Sequence, residues 1–121
     1  MTQRQLEERV IELLLAYGDE TSGLLLAQAK QLTVKARDFT GVGFYTRFAA
    51  PEELKVQTIN KRYEGVTVSL KRPDDTMFFI LYIDEGYIHC LEGCAHGEWH
   101  EKDIHRIDPA TFDGGGRSSF L

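Results

Sequence analysis

Leu6, Val10, Leu13, Leu14 and Tyr17 recur at helical intervals along the first segment of the chain. Thr2 and Gln5 stand ahead of them in capping-box spacing, and Gly18 follows as a stop. A second helix is predicted after Asp19 to Ser22, with Leu24, Leu25 and Leu26 as a broad apolar stripe, and the chain turns extended near residue 32. From there the period changes to two. Leu32, Val34 and Ala36 alternate with polar neighbours; Val42, Phe44 and Phe48 then share a strand face, and Gly41 and Gly43 mark a bend, a bulge or a close backbone approach. Residues 51–62 carry no sustained period and read as a connection.

Val66, Val68 and Leu70 alternate with Thr67, Ser69 and Lys71, the pattern of a strand with one wet face. Arg72-Pro73-Asp74-Asp75 reads as a turn. Residues 77–83, MFFILYI, are apolar on both faces, which demands a covering layer on each side or an oligomer contact on the second. Asp84-Glu85-Gly86 separates this run from YIHCLEG as a hairpin turn. With a three-residue turn, Cys90 lies opposite Ile80 and His89 opposite Leu81, and Cys90 is a small core residue. The pattern as a whole predicts an α+β domain over residues 1–108: two N-terminal helices packed on an antiparallel sheet of four or five strands, the C-terminal half a meander. Residues 109–121, ending in DGGGRSSFL, are expected to form a flexible tail.

Charge changes this picture at one place. The formal net charge is −5. Residues 1–83 balance, whereas residues 84–108 hold seven acids against Lys102 and Arg106, and Asp113 and Arg117 cancel in the tail. Phosphate binding needs a basic patch, so nucleic acid is excluded as a partner and a basic protein surface is favoured. No apolar run reaches a membrane-spanning length of about 18 residues, and acids interrupt the N-terminal helix pattern where a signal peptide would be apolar. A cytoplasmic location is the expectation.

All four histidines, both cysteines and the only tryptophan fall between residues 89 and 105. Cys90 and Cys94 stand four apart, which is neither a redox nor a zinc-knuckle spacing. Cys94, His96 and His100 have the residue types for zinc, with no zinc signature in their spacing. Trp99 is either a lid folded back on the sheet or an exposed aromatic anchor in an acidic rim. Glu92, Glu98, Trp99, Glu101 and Asp103 are therefore the expected interaction residues, for a protein with no catalytic set of its own. A metal- or thiol-dependent enzyme on Cys94, His96 and His100, and a small-ligand-binding domain, stay open beside this reading.

The stretches ARDFTGVGFYTRF and IDEGYIHCLEGCAHGEWHE resemble a small, poorly characterised bacterial domain family with a Phe-Thr-Gly-Val-Gly-Phe stretch, a later hairpin, a Leu-Glu-Gly and a tryptophan. Here these are Phe39 to Phe44, Leu91 to Gly93 and Trp99. The resemblance covers about half the chain and implies a stand-alone domain of the immunity-protein kind. That family has tyrosine or threonine where this chain has cysteines and histidines, which argues against a shared metal or thiol mechanism.

Overall fold

A computed structural model describes residues 1–70 and 75–120. Two helices precede six strands: α1 (Gln3–Leu14), α2 (Glu20–Ala29), β1 (Thr33–Phe39), β2 (Gly41–Ala49), β3 (Lys61–Leu70), β4 (Thr76–Asp84), β5 (Tyr87–Trp99) and β6 (Ile107–Phe120). Short 3-10 turns occupy Glu52–Leu54 and Glu101–Arg106. The α+β class is as the periodicity predicts. The strand count is six rather than four or five, in the order β1-β2-β5-β4-β3-β6 with every neighbour antiparallel.

Only β3-β4-β5 form a meander. β6 returns to pair with β3 from Leu70↔Ile107 to Lys61↔Phe120, so the segment expected to be a loose tail is the sixth strand. The expected turn at 72–75 lies outside the described residues except for Asp75.

The helices start where side chains cap them. Thr2 Oγ1 accepts from the Gln5 N–H at 3.1 Å while Gln5 Oε1 accepts from the Thr2 N–H at 2.8 Å. Asp19 Oδ1 accepts from Ser22 N–H at 2.7 Å, and this bond lowers the Asp19 pKa. Both helices cover one face of the sheet, where Leu6, Val10, Leu14 and Leu25 meet Phe44, Tyr63, Val68, Met77, Phe79, Leu81 and Ile83 in one core.

The core-facing stripe of α1 also carries Glu7, which has no exposed surface. Arg37 of β1 donates to its two carboxylate oxygens at 2.9 and 2.7 Å, Thr46 of β2 at 2.6 Å and Gln3 at 3.2 Å. Helix and sheet are thus joined by an ion pair between a buried carboxylate and a partly exposed guanidinium as well as by apolar contact.

Two glycine-rich stretches meet at the β2–β5 pairing. A Cβ on Gly43 would collide with the Gly93 carbonyl, and the Phe44 ring lies over Gly93 where a side chain would stand. The register shifts between Gly41 and Gly43, so that Gly41 pairs with Trp99 while Gly43 pairs with Cys94.

Candidate functional site

The hairpin joining β4 to β5 turns on two residues, not three: Asp84 pairs with Tyr87. Glu85 (φ 51°) and Gly86 (φ 84°) both lie in the left-handed region, as a two-residue turn that matches strand twist requires. His89 then has no partner on β4, because Ile83 pairs with Ile88 and Tyr82 with Cys90. This bulge breaks the simple alternation expected of β5. Ile88, Leu91, Gly93 and Ala95 are buried towards the helices, while Cys90, Glu92 and Cys94 line up with Tyr82, Ile80 and Phe78 on the face that no helix covers.

That face can be mapped row by row. One row across the sheet, from β1 to β6, reads Asp38, Tyr45, Glu92, Ile80, Glu64, Arg117. The next reads Ala36, Arg47, Cys90, Tyr82, Arg62, Ser119. A third contains Gly43, Cys94, Phe78, Thr67 and Asp113.

Glu92 joins three strands here: Tyr45 Oη donates to its Oε2 and Tyr82 Oη to its Oε1, each at 2.9 Å. The bond to Glu92 raises the Tyr45 pKa, and burial followed by the same carboxylate pushes Tyr82 up to about 12. Both phenols stay protonated at neutral pH, so the trio acts as a cross-strand clamp. Burial pushes the Cys90 thiol up to about 11, which removes the thiolate a nucleophile needs. Cys90 is buried as expected, but between strands on the outer face and not in the helix-covered core.

The remaining sequence candidates are dispersed. Trp99 has no exposed surface: it lies back on the sheet, and the reading of it as an exposed anchor is corrected. The cause is that β5 runs on through Trp99, where a loop was expected, and pairs there with Gly41 of β2. Glu98 and His96 are exposed at the bulge before it. Glu101 is exposed, and Asp103 Oδ2 accepts from the His100 N–H at 3.0 Å, capping the 3-10 turn. Cys94, His96 and His100 do not converge: among the described residues no three His, Cys, Asp or Glu side chains are placed to hold a metal ion.

The acidic segment itself is stretched out. β5 has thirteen residues, which at about 3.3 Å each puts Asp84 and Glu85 roughly 40 Å from Glu101. Charges adjacent in sequence therefore lie at opposite ends of the sheet.

What the fold assembles instead is a groove of about 320 Å³ at the hairpin end. Phe48, Ile88 and Tyr87 give it an apolar wall, and Glu52, Asp84 and Glu85 bring carboxylates, with His89 and no lysine or arginine in the lining. Non-local bonds fix its frame. Gln28 of α2, fully buried, donates to Leu54 O at 2.9 Å and Gly86 O at 3.1 Å and accepts from Ile88 N–H at 2.6 Å. Asn60 donates to Asp84 at 2.9 Å and accepts from the Glu85 N–H at 2.9 Å, while Tyr87 Oη donates to Glu52 O at 3.0 Å.

The sequence flagged Asp84 and Glu85 only as part of a charged run. Glu52 comes from the aperiodic connection and Gln28 from a helix interior, where nothing local marks either. Another groove, about 350 Å³ between α1 and α2, is lined by Arg4 and Lys30 as well as Glu8 and Glu12 and selects no charge. Among the described residues no helix is long and apolar enough to cross a membrane. Comparison with protein-family models, curated proteins and solved structures finds no match to this chain.

Proposed function

We propose that this chain is a non-enzymatic protein-interaction module of the immunity or antitoxin kind, which receives a basic side chain of its partner in the hairpin-end groove. The observation that carries this reading is the groove's composition: three carboxylates over an apolar wall, with no lysine or arginine among the described residues of its lining. An arginine or lysine suits such a site because its aliphatic stem packs on Phe48, Tyr87 and Ile88 while its charge meets Glu52, Asp84 and Glu85.

Two further features support a binding role. The frame is held by Gln28, Asn60 and Tyr87 before any partner arrives, so little ordering entropy is lost on contact. Glu85 keeps a left-handed backbone that asparagine or glycine would adopt with less strain. The acidic segment of residues 84–108 thus contributes through its first two acids, joined by Glu52 from outside it.

The test is in-cell cross-linking of the untagged chain, identification of the captured protein, and titration of the two purified components. Asp84→Lys combined with Glu85→Lys is expected to weaken binding at least about tenfold, and raised salt to weaken the wild-type complex. Glu98→Lys with Glu101→Lys, at the far end of β5, is expected to leave affinity unchanged. Binding that is indifferent to the first pair of reversals rules the groove out.

A further inference from the structure

The strand β4 is apolar on both faces, and the helices cover only one of them. On the other, Tyr45 and Phe78 are 38% and 42% exposed, with Ile80 and Tyr82 half-buried between them. Its charges are ordered by row. Asp38, Glu92 and Glu64 share one row, with Arg117 at its β6 end, and Arg47 and Arg62 share the next.

We infer that this uncovered face binds a second copy of the chain, as a two-fold dimer whose axis runs across the strands between these two rows. Such an axis lays each row on its neighbour in the other copy, so every contact occurs twice. Glu64 then faces Arg62 of the second copy, the Tyr45 ring faces its Arg47, and Ile80 faces its Tyr82. These are an ion pair, a cation–π contact and an apolar contact, each between groups of suitable chemistry.

Among the described residues neither Arg47 nor Glu64 has a hydrogen-bond or ion-pair partner within its own chain. The alternative axis, along the strands between β5 and β4, would keep each row on itself and set Arg47 against Arg62 of the other copy. Size sets the strength. Six strands about 4.8 Å apart and two paired side-chain rows about 7 Å apart cover on the order of 400 Å² per copy, or about 800 Å² for the pair, the size of a weak interface. A reversible dimer is the expectation.

This inference goes beyond the basic-partner reading and does not depend on it, since the hairpin-end groove lies past the end of the paired rows. Sedimentation equilibrium of the untagged chain is expected to show a monomer–dimer equilibrium. Ile80→Lys, which places two ammonium groups at the centre of the interface, is expected to weaken it about a hundredfold with the circular dichroism spectrum unchanged.

Arg62→Glu and Glu64→Arg are each expected to weaken the dimer about tenfold, and the double variant to recover most of that loss, because the exchange regenerates the pair with reversed sign. Asp84→Lys with Glu85→Lys is expected to leave dimerisation unchanged, which separates this test from the partner test. A monomer at every concentration up to about 1 mM overturns the inference, because an interface of this area is expected to be populated there. A dimer that survives Ile80→Lys, or a double exchange that fails to recover affinity, overturns it too, the former pointing to pairing along the exposed β1 edge.

Discussion

Glu7 shows how a single residue can hold two layers together. Its carboxylate has no exposed surface and accepts four hydrogen bonds, two of them from Arg37. Removing the carboxylate leaves the buried Thr46 hydroxyl without its acceptor and a partly exposed Arg37 without its pair, so Glu7→Ala is expected to cost about 2–3 kcal/mol, read as a lower urea midpoint. The sequence contained a sign of this. Glu7 falls on the stripe of Leu6, Val10, Ile11 and Leu14, where an acid is out of place, but the periodicity counts only apolar positions and Glu7 passed into the charge sum. Glu85 makes the opposite case. At φ 51° it occupies a conformation costing an L-residue about 1 kcal/mol, which asparagine tolerates better. Glu85→Asn is expected to raise stability by about 0.5–1 kcal/mol and to weaken partner binding. Thermal melts and the titration above check the two halves separately.

At the scale of elements, legibility followed the strength of local alternation. The helices and the cores of β2, β3 and β4 were readable because one face of each is buried in a regular period. Beyond Gly93 the period in β5 fails, because the chain bulges at 95–98 between the pairings Gly43↔Cys94 and Gly41↔Trp99; a strand there looks like a loop. β6 was lost for a different reason. Its Gly/Ser-rich end has few side chains to alternate, and what holds it is backbone pairing with β3 and close passage beneath α1. A Cβ on Gly116 would run into the Leu14 carbonyl, whereas one on Gly115 would meet nothing within 4 Å. Gly116→Ala is therefore expected to cost at least about 2 kcal/mol, and Gly115→Ala to stay within about 0.5 kcal/mol of wild type. A flexible tail would leave both substitutions silent. Comparing their urea midpoints decides the matter. The candidate groove was illegible for the same non-local reason: Glu52, Asp84 and Gln28 come from separate parts of the chain and meet only once the sheet has formed.

For the whole molecule, the two faces of the sheet imply a stability profile that fails on the alkaline side. Burial pushes Tyr63, in the helix-covered core, up to about 12, and the groups of the outer face follow, Tyr82 to about 12 and Cys90 to about 11. In each case the folded state keeps a proton that the unfolded chain gives up, from values near 10 for the phenols and 9 for the thiol. Their contribution is fully present below pH 9 and is lost as pH rises through 10 to 12. Tyr63 separates the core from the face. Its hydroxyl is buried with no hydrogen-bond partner among the described residues, so Tyr63→Phe keeps the ring, removes an unsatisfied polar group, and is expected to change stability at pH 7 by less than about 1 kcal/mol. Above pH 10 only the wild type carries the Tyr63 phenol, which ionises on unfolding, while Tyr82 and Cys90 are common to both proteins. The variant is then expected to become the more stable of the two, by a margin that grows to about 2 kcal/mol near pH 12. Urea unfolding of both proteins at pH 7.5, 9.5 and 11 measures that margin. Parallel curves across the range would mean that Tyr63 ionises as readily in the folded core as in the unfolded chain, and that water reaches the layer between helix and sheet.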